Sequence, residues 1–148
     1  MNLYHYVQSG LDNVWLSNGF RIEATPYGDA VSIDNAEELD RAIAKYLTEK
    51  PDPLTGAEVR FLRVMLDMSQ KRLGELLGKE AQTVAIWEKS DRVKDDVDFC
   101  IRHIYRQTAL NSRQTYVELV DYLNSQDRQD HAEGVSFRET SGIWEVAA

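Results

Sequence analysis

One cysteine and three prolines occur in 148 residues, and the bases fall short of the acids. A single thiol, Cys100, cannot close an internal disulfide or supply a multi-cysteine zinc site, so nothing argues for an oxidising compartment. Long apolar runs are also missing. None approaches the ~20 residues that cross a bilayer as a helix. The opening "MNLYHYVQSGLDN" lacks the basic-then-apolar order of an export signal. The expected location is the cytoplasm, with no membrane partner. GxSxG, P-loop and GxGxxG patterns are absent too, as is any Ser/His/Asp set that sequence can group, so neither an enzyme nor a cofactor is expected.

Weaker constellations reduce to ordinary structure. His5, His103 and His131 lie in separate segments, and only His103 is near Cys100. That pair reads as core plus flank rather than half a metal site, and no metal is expected. Asp91, Asp95, Asp96 and Asp98 lack the D-x-D-x-D-G order of a calcium loop, and read as a solvated loop able to cap the next helix.

What is present is acidic but uneven. The formal net charge is −8, from 17 Lys and Arg against 25 Asp and Glu. Residues 51–106 carry ten of each, so all the excess negative charge lies in the flanks. A neutral centre can still offer a basic face to an anionic partner, provided that the flanks point elsewhere. The 43% hydrophobic content is enough for a real core.

Periodicity divides the chain. From Asn13 to Ile33 the residues alternate around Asn18-Gly19, the preferred chemistry of a tight hairpin turn, with Phe20, Ile22 and Ala24 on one face. A helical period follows, with Leu39, Ile43 and Leu47 on one stripe and Asp34 or Asn35 as the cap. "PDP" at Pro51 to Pro53 ends it. Thr55 with Glu58 three residues on is a capping box for a helix whose face is Val59, Leu62 and Leu66. Ser69 can cap the next helix, which carries Leu73, Leu76 and Leu77, and Gly78 permits a reversal into a third from Ala81 to Lys89. Val97, Ile101, Ile104 and Tyr105 mark a further helix, and Tyr116, Leu119, Val120 and Leu123 another. The end alternates again about Ser141-Gly142, a hairpin signal.

The stretch "SQKRLGELLGKEAQTVAIWEKS" has the spacing of a helix-turn-helix. Gly74 costs ~1 kcal/mol inside a helix relative to alanine, so a close approach of two crossing helices is expected there. Val84 and Trp87, three apart, share a face and can plug the Ala81–Lys89 helix into the core. Gln82, Ala85, Ile86 and Lys89 then project outward. In a major groove, glutamine can bond bidentately to adenine, and Ala85 or Ile86 can meet thymine methyls. Lys71, Lys79, Lys89, Arg92 and Lys94 are the candidates for phosphate contacts.

"LTGAEVRFLRVMLDMSQKRLGELLGKEAQTVAIWEKSD" resembles the Xre family of phage-repressor-type regulators, through "SQ" at Ser69-Gln70, "LLG" at Leu76 to Gly78, "QTV" at Gln82 to Val84 and "WEK" at Trp87 to Lys89. The likeness covers residues 53–106. It implies a five-helix domain, a phosphate contact from Gln70, base-facing positions at Ala81, Gln82 and Ile86, and a backbone or base contact from Thr83. Position 74 is usually alanine in that family and position 86 often polar. The chain also resembles a subgroup that includes MqsA-like antitoxins, although their CxxC-built zinc domain has no counterpart here.

The expected fold is therefore mainly α with small β elements. A five-helix repressor-like helix-turn-helix domain at 51–110 is flanked by an N-terminal β-hairpin or sheet with a helix at 1–50 and by a C-terminal helix and β-hairpin at 111–148. The expected function is transcription regulation on double-stranded DNA. A homodimer, joined through the flanks, would place two reading helices about one turn (~34 Å) apart on a palindromic operator. The alternative is a protein-interaction module of the same fold, an antitoxin or adaptor with a protein partner such as a toxin.

Overall fold

The computed structural model describes residues 3–109 and 134–147. Among them are six strands and five α-helices. In chain order these are β1 (Tyr4–His5), β2 (Val14–Leu16), β3 (Phe20–Thr25), β4 (Gly28–Ile33), α1 (Ala36–Glu49), α2 (Gly56–Met65), α3 (Gln70–Leu77), α4 (Ala81–Glu88), α5 (Asp95–Thr108), β5 (Val135–Thr140) and β6 (Ile143–Val146). The expected helix around Tyr116 to Leu123 lies outside the described residues. No described helix is long and apolar enough to cross a membrane.

The described residues up to Ile43 cluster with those from Gly134 onward, and Ala44 to Ala109 form a second unit. In the first unit one mixed sheet runs β1-β2-β5-β6, with β2 and β5 parallel and Leu16 opposite Phe137. Both side chains are fully buried, which explains why a strand near the start and one near the end share a sheet. The C-terminal pair β5 and β6, antiparallel about Ser141-Gly142, is therefore part of this sheet rather than a separate flank.

Asn18-Gly19 does not make the expected turn. The pair β3/β4 reverses instead at Pro26-Tyr27, with Thr25 opposite Gly28. Asn18 extends the sheet by its side chain: its Nδ2 donates to the Glu139 carbonyl at 3.2 Å and its Oδ1 accepts from the Glu139 amide at 2.7 Å. A carboxamide can thus imitate the peptide that a further strand residue would supply. The β3/β4 ribbon stands largely in solvent, with Tyr27 99% exposed, so its alternation marks no buried face.

In the second unit the local signals act as written. Thr55 and Glu58 form both bonds of the capping box, and Ser69 Oγ accepts from the Arg72 amide at 3.0 Å. The α5 stripe is narrower than its apolar pattern: Ile101 and Tyr105 are buried, whereas Val97 and Ile104 are only partly so. Asp98 and Arg102 occupy the rest of the inward face, fully buried, which corrects the reading of Asp98 as a solvated loop carboxylate. Asp98 accepts from the Leu54 amide at 2.7 Å, and Arg102 donates to the carbonyls of Lys50 at 2.6 Å and Asp52 at 2.8 Å. Prolines 51 and 53 have no amide to donate, so this strap cannot pair as a strand. The buried side chains satisfy it instead. Lys50 completes the arrangement by donating to Glu58 Oε1 at 2.7 Å.

Candidate nucleic-acid interface

The reversal between α3 and α4 is built from glycine. Gly78 lies at φ 69°, its amide donates to the Glu75 carbonyl, and the Lys79 amide donates to the Gly74 carbonyl at 2.7 Å. These two bonds are the Schellman ending of a helix. They bring the Lys79 carbonyl so close that a Cβ on Gly74 would stand 2.5 Å from its oxygen. The small residue at 74 therefore serves the turn rather than a crossing of helices, and Leu76, expected on the buried face, is 44% exposed.

The orientation of α4 follows from two inward anchors. Val84 is fully buried. Trp87 is only half-buried, a correction to its expected role as a full plug. The second anchor is Glu88, whose carboxylate accepts from Arg63 Nε at 2.6 Å and Arg63 Nη2 at 3.0 Å, and from Gln70 Nε2 at 3.2 Å. One carboxylate thereby joins α2, α3 and α4. Sequence reasoning missed it, since Glu88 appeared only as a token in "WEK". Gln70, the implied phosphate contact, spends its amide on this internal bond.

The opposite side of α4 is open. Gln82, Ile86 and Lys89 are exposed, Ile86 to 68%, while Ala81, Thr83 and Ala85 are half-buried beside them. This is the stripe that the spacing placed outward. Lys71, Lys79, Arg92 and Lys94 are exposed as well, and among the described residues none of them forms an ion pair. Lys79, Arg92 and Lys94 line one cleft together with Thr83 and Ile86, whereas Lys71 and Lys89 do not line it. Exposed carboxylates are close in sequence, Glu80 before α4 and Asp91, Asp95 and Asp96 after it.

Burial pushes the Cys100 thiol up, with Asp96 adding to the effect, so thiolate reactivity is suppressed. His103 stacks parallel to Phe99 at 6.2 Å, and among the described residues no three potential metal ligands gather. Comparisons with family models, with curated proteins and with solved structures found no match to this chain.

Proposed function

We propose that the protein is a sequence-specific, DNA-binding transcription regulator of the Xre type, in which α3 and α4 form the helix-turn-helix of a five-helix repressor-like domain. It acts in the cytoplasm as a homodimer on a palindromic operator. The observation that carries this reading is the open stripe Gln82, Ile86 and Lys89, held outward by buried Val84 and by the Arg63–Glu88 pair. Gln82 reads base edges, Ile86 and Ala85 meet thymine methyls, and the exposed cations around the helix ends take phosphates. Were all five of Lys71, Lys79, Lys89, Arg92 and Lys94 to neutralise one phosphate each, log affinity per protomer would fall with log salt at a slope of about −4.5.

The exposed isoleucine favours a second reading, in which the same face binds a protein, as in an antitoxin or adaptor. Selection from a random duplex pool by the intact chain separates the two. A palindrome is expected, and Gln82→Ala and Lys89→Ala should each weaken binding without moving the melting temperature. Failure to retain any duplex at ~50 mM salt, where nonspecific binding is strongest, would refute the DNA reading in favour of the protein one.

A further inference from the structure

A cleft of about 410 Å³ opens beside the stripe, between α4, the Ser90–Lys94 loop and the start of α5. Its size is that of a small-molecule site, ~300 to 1,000 Å³. Its chemistry is divided. Trp87, Val93 and Val97 supply an apolar wall, while Lys79, Arg92 and Lys94 stand around it as cations that form no ion pair among the described residues. Trp87, the largest apolar side chain of α4, lines the cleft and is only partly buried. Among the described residues Asp96 is the one carboxylate in the lining.

We propose that this cleft binds a small aromatic anion, a flat ring carrying a carboxylate or phosphate, and that such a ligand regulates α4. The ring lies on Trp87 and Val97, the anionic group is held by Arg92, Lys94 and Lys79, and Asp96 accepts an N–H where the ring has one. A bare phosphate would leave the indole wall wet, and an uncharged ring would leave the cations unused. Because Ile86 belongs both to the cleft wall and to the open stripe, and Lys79 both to the wall and to the proposed phosphate contacts, the bound anion competes with whatever α4 contacts. That competition rests on the proposed DNA reading; the binding itself does not.

The test uses the intact chain labelled with ¹⁵N, in which the three indole N–H signals of Trp15, Trp87 and Trp144 are assigned by Trp→Phe variants. Adenosine monophosphate and benzoate should each move the Trp87 signal and leave the other two in place. Adenosine and inorganic phosphate at equal concentration should bind at least tenfold more weakly, and Arg92→Gln with Lys94→Gln should weaken both anions tenfold while the rest of the spectrum stays folded. The proposal is overturned if neither anion moves Trp87, if inorganic phosphate or adenosine does so as well as the anions, or if the double variant binds unchanged. Displacement of operator duplex by the same anions reads the regulatory half separately.

Discussion

Replacing Glu88 by alanine should destabilise the protein by about 3 kcal/mol, the lower end of the ~3 to 5 kcal/mol expected when one member of a buried ion pair is removed. The side chains of Arg63 and Glu88 are 12% and 4% exposed, so solvent screens the pair little. Without Glu88 the guanidinium keeps only the Met68 carbonyl at 2.9 Å, which is why the lower end applies. Gln70 loses its partner as well. With a urea m-value of ~2 kcal/mol/M, the unfolding midpoint should fall by roughly 1.5 M. Replacing both partners, Arg63→Met with Glu88→Leu, should recover most of the loss, because the cost lies in stranding a buried charge more than in losing an attraction. A fall below ~1 kcal/mol for Glu88→Ala, the level of a solvated surface pair, would refute the claim that this carboxylate anchors α4. So would a double variant less stable than the single one.

Gly74→Ala should cost about 1 to 3 kcal/mol by urea unfolding, since the added methyl meets a backbone carbonyl that cannot swing away, despite alanine's better helix propensity. Trp87→Ala should cost about 2 kcal/mol by the same assay, less than the ~3 to 5 of a fully buried aromatic. Tyr46, pushed up to about 12 first by burial and then by Asp52 and Glu58, should ionise well above the ~10 of a free phenol in an absorbance titration at alkaline pH. Its sign follows from proton binding: above pH ~10 the unfolded chain has released the phenol proton and the folded one has not, so its contribution is intact below pH ~10 and lost between ~10 and ~12. A midpoint for Tyr46 at the ~10 of a free phenol would refute the burial argument.

Legibility in the sequence tracked distance along the chain. Thr55 with Glu58, Ser69 and Gly78 act within one turn of themselves, and their roles could be read without knowing anything else. Asn18 could not be read, because Glu139, the partner that diverts it from a turn, lies 121 residues away. Asp98 failed for the same reason. Its buried partners include the Leu54 amide, 44 residues distant, while its sequence neighbours are solvent-facing carboxylates. The outward stripe of α4 was legible because 3, 4 and 7 spacing fixes a face once one inward residue is known, and Val84 was that residue. How far Trp87 entered the core was not, since burial of a large ring depends on what α5 and its preceding loop place beside it.

The long-range partners also bear on the apparent conflict between an acidic chain and an anionic ligand. Residues 51–106 hold ten cations and ten carboxylates. Three of the cations, Arg63, Arg102 and Arg106, turn inward, and so do four of the carboxylates, Asp52, Glu58, Glu88 and Asp98, leaving seven exposed cations against six exposed acids. Total charge therefore misstates what a partner meets. The inward carboxylates build the scaffold: Glu58 and Asp98 secure the strap at 50–54, and Glu88 fixes α4. Each is neutralised by a buried cation at short range, where solvent screens little, and so projects little field outward. What remains outside is a near-neutral surface whose cations Lys79, Arg92 and Lys94 gather at one cleft beside the open stripe. In the described lining of that cleft three cations accompany one carboxylate, Asp96, a local balance that neither the net charge nor the pI conveys, and it is charge within about a Debye length of ~8 to 10 Å that governs association at physiological salt.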